Sequence, residues 1–165
     1  MAGINRIIFV SKSGTAREPM AVGIMKDLIL TRPVEIMARG MIVQFPEPMN
    51  QKAEAVLISN GIELPDFCSQ QLVEEEITAG TLVLAMEERQ KATLFEMFPN
   101  VKPWQIQVLP SMVGEELDIV NPYGGTVQTY GLCFESLRKS IKKLADMLNN
   151  DEIPWEEKEE ESGEA

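Results

Sequence analysis

The chain has 165 residues, two cysteines, no histidine and a formal net charge of −11. That length is about one domain with its own core, and no run of roughly 18 apolar residues is present to cross a bilayer. The missing histidine excludes His-ligated metal sites and Ser–His catalysis, and the acidic excess excludes nucleic-acid binding, which needs a basic face to neutralise phosphates.

Met1-Ala2-Gly3-Ile4-Asn5-Arg6 leads straight into an apolar run without the long hydrophobic stretch of a signal peptide, which predicts a cytoplasmic protein. Residues 7–10 read as a first strand, continuously apolar and so covered on both faces. The loop Ser11-Lys12-Ser13-Gly14-Thr15-Ala16-Arg17 follows, small and hydroxyl-rich, and a helix is predicted over 18–30. Pro19 sits in its first turn, and Met20, Ile24, Met25, Leu28 and Ile29 supply its buried side.

Residues 34–37 read as a second strand ending at Arg39-Gly40, where Arg39 is taken as solvated, and 44–50 as a two-proline loop. A helix over 53–60 stops at Gly61. Residues 62–80 carry no clear period, and Glu74-Glu75-Glu76 reads as a solvated helical turn. A third strand over 81–86 precedes a helix over 88–98, and a fourth strand covers 104–109. The loop Asn121-Pro122-Tyr123-Gly124-Gly125 leads into a final helix over 126–149, where Tyr130, Cys133, Phe134, Leu137, Ile141, Leu144 and Leu148 recur at three- and four-residue steps.

From residue 151 to the end, eight acidic residues against one lysine give a net charge of −7, leaving −4 for residues 1–150. The expected division is therefore a domain over 1–150 and an acidic, disordered tail over 151–165, with a partner-anchoring role for Trp155 as the lesser reading. Cys68 and Cys133 fit no metal or redox spacing, so neither a metal nor a cofactor is expected. Cys133 falls on the apolar stripe of the final helix and reads as a buried structural thiol.

Strands alternating with helices imply right-handed βαβ units, hence an α/β fold with a parallel sheet between helices. Ligands of such sheets bind beyond the carboxyl ends of the strands, which is where the 11–17 loop lies. Converging loop amides, the following helix N-terminus and the Arg17 guanidinium make an oxyanion cradle in outline.

The 11–17 loop resembles the phosphate-binding loop of the low-molecular-weight protein tyrosine phosphatases, whose pattern is an apolar strand, Cys, five residues, Arg, Ser or Thr, and Pro. Ser11 stands where that family has its nucleophilic Cys, Arg17 at its phosphate-gripping Arg, and Pro19-Met20-Ala21 at the start of its helix. Asn121-Pro122-Tyr123 is similar to the family's Asp-Pro-aromatic motif, whose Asp is the general acid. Gly124-Gly125 and the long last helix resemble bacterial members, phosphoarginine phosphatases among them.

The resemblance covers residues 5–149 and implies a four-stranded parallel sheet with helices on both faces. It also implies a phosphate-binding loop of Ser11, Lys12, Ser13, Gly14, Thr15, Ala16 and Arg17, with Asn121 at the general-acid position and Tyr123 at the pocket rim. The family's thiolate attacks phosphorus and its Asp protonates the leaving group. A serine hydroxyl titrates far above a thiol and needs an adjacent base, and an amide donates no proton at neutral pH.

The leading expectation is an inactive or nearly inactive phosphatase relative that binds phosphate or another oxyanion, carried by a ligand or a phosphorylated protein. Two alternatives stand beside it: a weak phosphotyrosine or phosphoarginine phosphatase using the same pocket, and an interaction protein independent of phosphate. Glu18, where the family has a small hydroxyl residue, either supports the helix N-terminus or pairs with Arg17 and repels phosphate.

Overall fold

Strand β1 (Arg6–Ser11) lies inside the sheet, and its neighbours decide which loops meet at its carboxyl end. In the computed structural model, which describes residues 3–155, β2 (Glu35–Gly40), β3 (Thr81–Ala85) and β4 (Ile106–Val108) complete a four-stranded sheet. The order is β2-β1-β3-β4 and every pairing is parallel.

The alternation of β1 side chains divides the core. Ile7 and Phe9 enter the larger cluster, formed with α1 (Arg17–Lys26), α2 (Gln51–Ser59) and α5 (Val127–Asn149). Ile8 and Val10 enter the smaller one, with Leu94 of α3 (Glu88–Met97) and Phe98. All four are fully buried, each contributing about 1.5–3 kcal/mol of apolar transfer. The sheet is covered on both faces, as its continuous apolar run predicts.

Helix α5 buries the stripe read from the sequence, Tyr130 through Leu148, and Thr126 caps it by accepting a hydrogen bond from the Thr129 N–H. Asn50 caps α2 through the N–H groups of Lys52 and Ala53. Cys133 is buried, and Cys68 is exposed on its loop.

Several local expectations are corrected by packing. Helix α1 stops at Lys26, four residues early, because the N–H groups of Asp27 and Leu28 turn to the carbonyls three residues back. Ile29, expected on its buried side, is 87% exposed. The helix is also buried on every side from Arg17 to Met25, since it contacts β1, β2, α2 and α5. Strand β2 extends to Gly40 and includes Arg39, which is not a free surface cation: its guanidinium lies 2.7 Å from Glu76.

Of the three acidic residues 74–76, which form a 3-10 turn, only Glu74 and Glu75 are exposed. The carbonyl of Glu76 also accepts a hydrogen bond from Arg6. Strand β4 is shorter than expected, because Trp104 belongs to a 3-10 turn and Leu109 opens a short helix, α4 (Leu109–Met112), with Pro110 in its first turn. Residues 151–155 are not a free tail: Ile153 is buried and Trp155 packs against the larger core. The rest of the expected tail, 156–165, lies outside the described residues. Among the described residues no helix is long and apolar enough to cross a membrane.

At the carboxyl end of the sheet, the 11–17 loop crosses the end of β2 at van der Waals distance. Gly14 has φ +78°, and a Cβ on Gly40 would lie 2.8 Å from the Ser13 carbonyl and 2.5 Å from Val43 Cγ2. Gly40→Ala is therefore expected to destabilise the protein by roughly 1–3 kcal/mol and to shift the loop, read as a lowered denaturant midpoint with changed chemical shifts over 11–17.

Candidate functional site

The loop after β1 is held by backbone bonds from two segments, the one after β2 and the one before α2. Met41 N–H donates to the Ser11 carbonyl (2.8 Å), Ile42 N–H to that of Lys12 (3.0 Å) and Asn50 N–H to that of Thr15 (2.9 Å). The Ser13 and Thr15 hydroxyls lie 3.1 Å apart. Above the loop is a cavity of about 490 Å³, lined by Ser11, Lys12, Ser13, Thr15, Ala16 and Arg17. Asn121, Tyr123 and Tyr130 line it from the other end of the chain, and Glu47, Pro48 and Asn50 from the loop before α2. The chain thus brings together every sequence-expected site residue except Gly14, which lies beneath and is buried.

Glu18 is the largest departure from expectation. It does not pair with Arg17. Its carboxylate, fully buried, turns under the loop, where Oε2 accepts hydrogen bonds from the Ser11 hydroxyl and from the Gly14 N–H at 3.1 Å. Its other oxygen, Oε1, has no hydrogen-bond partner. Burial pushes the Glu18 pKa above the ordinary carboxylate value, while the bonds from Ser11 and Gly14 and the charge of Arg17 pull the other way. A loop amide that could serve an external oxyanion is thus engaged by the chain's own carboxylate.

Arg17 is only 3% exposed, and its Nη1 donates to Glu87 Oε2 at 2.8 Å and to the Ile119 carbonyl at 2.6 Å. Glu87 Oε1 in turn accepts from Arg89 at 2.8 Å. Burial disfavours the Glu87 carboxylate, but the hydrogen bond and charge of Arg17, reinforced by Arg89, outweigh it and hold its pKa below the usual range. Lys12 stays exposed at the cavity wall.

Asn121 Oδ1 accepts from the Tyr123 N–H at 3.1 Å, so the amide serves its own loop. Tyr123 is 84% exposed at the rim. Tyr130 is buried; its desolvation raises its pKa against a hydrogen bond with Asn50. Neither thiol lines the cavity. Cys133 borders a separate groove and is pushed up to about 11, mainly by burial.

Glu87 and Ile119 were not legible as site residues, although β3 adjoins β1, and an acidic residue just beyond a strand's carboxyl end is where such a partner would be sought. Asn50, Tyr130 and Glu47 carried no separate signal. The sequence offers Glu18 as support for the helix N-terminus or as a partner of Arg17, and carries no signal that makes it a base beside Ser11. Glu18 sits in the first turn of α1, directly after the loop, and only packing decides whether its side chain turns back under that loop.

Glu87→Ala removes the counter-charge of a buried guanidinium and is expected to cost about 3 kcal/mol, measured by urea unfolding at neutral pH. Glu18 gives the opposite sign. Its folded pKa lies above the unfolded one, so its contribution to stability falls as pH rises from the ordinary carboxylate range toward the folded pKa. Glu18→Gln should therefore melt higher than the parent at neutral pH, with the difference shrinking on acidification through that window.

The chain is similar to known proteins over nearly its whole length. The family model described as low molecular weight phosphotyrosine protein phosphatase matches residues 6–153. A protein-arginine-phosphatase of Geobacillus stearothermophilus is 31% identical over 147 residues, covering 89% of this chain and 98% of that protein. The solved YwlE arginine phosphatase of the same organism superposes with a TM-score of 0.82 at 32% identity, covering 90% of this chain and 96% of that one. A cysteine-to-serine mutant of YwlE arginine phosphatase, with a phosphorylated active-site serine, superposes at 0.81 with 28% identity, covering 88% and 97%. With the family model covering residues 6–153, the chain belongs to the low molecular weight phosphotyrosine protein phosphatase family.

Proposed function

We propose that this family member binds the phosphoryl group of a phosphorylated ligand or protein at the 11–17 loop and does not turn it over at family rates. The observation that carries the reading is the chemistry of the cavity wall. Ser11 stands at the nucleophile position, with no thiol in the lining, and Asn121 stands at the acid position with its oxygen held by Tyr123. General acid catalysis contributes typically 10²–10⁴-fold, and a serine hydroxyl forfeits the thiolate as well. What remains suits recognition: the loop backbone, the hydroxyls of Ser13 and Thr15, the Lys12 cation and an aromatic rim at Tyr123.

Glu18 and Arg17 set the terms of that binding. An oxyanion deep in the loop competes with the Glu18 carboxylate for Gly14 N–H, and it must share Arg17 with Glu87. A second reading, slow phosphoryl transfer to Ser11, is favoured by the relative whose mutant carries a phosphorylated serine in its active site.

Calorimetric titration with phosphate and tungstate tests the proposal. Saturable binding is expected, about tenfold tighter in Glu18→Gln, which removes a competing charge, and about tenfold weaker in Arg17→Lys, which loses the planar fork. Absence of heat in both the parent and Glu18→Gln would overturn it and leave the phosphate-independent interaction reading.

A further inference from the structure

We infer that Ser11 and Glu18 form a nucleophile–base pair, through which the loop takes a phosphoryl group from an acyl phosphate or a phosphoramidate and keeps it as phosphoserine at Ser11. The inference rests on the loop holding phosphoryl oxygens, as proposed above, and adds the base, the donor class and the fate of the group.

A serine hydroxyl becomes a nucleophile when a base lies within hydrogen-bond reach. Ser11 donates its hydroxyl hydrogen to Glu18 Oε2, and both residues line the cavity that opens above the loop. Glu18 is fully buried and its Oε1 is unpartnered, so the ionised carboxylate is poorly compensated, and accepting a proton relieves that deficit. Burial shifts its proton affinity in the same direction. Once neutral, Glu18 also no longer repels phosphoryl oxygens from the Gly14 N–H.

In the step itself, the Ser11 Oγ–P bond forms as the bond from phosphorus to the leaving group breaks, and the bonding pair departs with that group. The Ser11 proton passes to Glu18 Oε2. An acyl phosphate releases a carboxylate, which needs no proton; a phosphoramidate nitrogen is basic enough to take one from water. Alkyl phosphates are excluded as donors, because their alkoxide needs an acid that the Asn121 amide does not supply. The phosphoserine product persists because attack by water on it needs a general base, and the Asn121 amide at the cavity wall offers none.

The test incubates the full chain with acetyl phosphate and, separately, with inorganic phosphoramidate, followed by intact-mass and peptide mass spectrometry. One added phosphate at Ser11 is expected, persisting after the donor is removed and absent in Ser11→Ala. Glu18→Gln should slow labelling by about 10²–10⁴-fold while still binding tungstate in the calorimeter, which separates loss of the base from loss of the fold. Parent protein that binds tungstate but stays unlabelled overturns the inference and leaves the binding function standing. Labelling at an equal rate in Glu18→Gln, labelling elsewhere than Ser11, or rapid release of phosphate from Ser11 would each overturn it as well.

Discussion

A guanidinium buried to the extent of Arg17 is tolerated only with its charge matched and its hydrogen bonds made, since an unpaired ion in that position costs several kcal/mol. The partners are Glu87, just past β3, and the Ile119 carbonyl, before the Asn121 loop. Both lie far along the chain, so matching one charge closes the carboxyl ends of β1 and β3 together and draws the third segment over them. The cavity is a consequence: its far wall, Asn121 and Tyr123, lies two and four residues after the carbonyl that Arg17 fixes.

Two glutamates near the same guanidinium illustrate how environment divides one chemistry into two. Glu87 accepts from two arginines and is held ionised, a fixed counter-charge. Glu18 is deeper, has a hydroxyl and an amide as donors and leaves one oxygen unserved, so burial dominates and raises its pKa above the ordinary carboxylate value. One carboxylate stabilises the architecture. The other stores an imbalance at the centre of the loop, and sites of that kind exchange stability for chemistry.

Much of the fold was readable because its signals are local and periodic. The apolar run of β1, the glycine-bearing loop and the three- and four-residue stripe of α5 each follow from a single face being buried. Where two elements compete for the same residues, the reading failed. Arg39 looked like a surface cation until Glu76 arrived from another segment, Leu109 left β4 for a helical turn, and α1 ended early with Ile29 in solvent. Trp155 and Ile153, inside an acidic stretch, pack onto the core because apolar burial outweighs the charge around them.

Local residue patterns dictate the strand–loop–helix order, the parallel sheet that order demands and the identities that define the site: a hydroxyl, an arginine and an amide at three separated positions. Which groups face one another is a matter of packing between segments distant in the chain. Glu18 could have turned to Arg17, to solvent or under the loop, and Arg17 could have stayed free for a ligand. Covalent spacing does not distinguish those outcomes. They are settled by desolvation and charge matching, whose free energies depend on neighbours that folding brings from elsewhere in the chain.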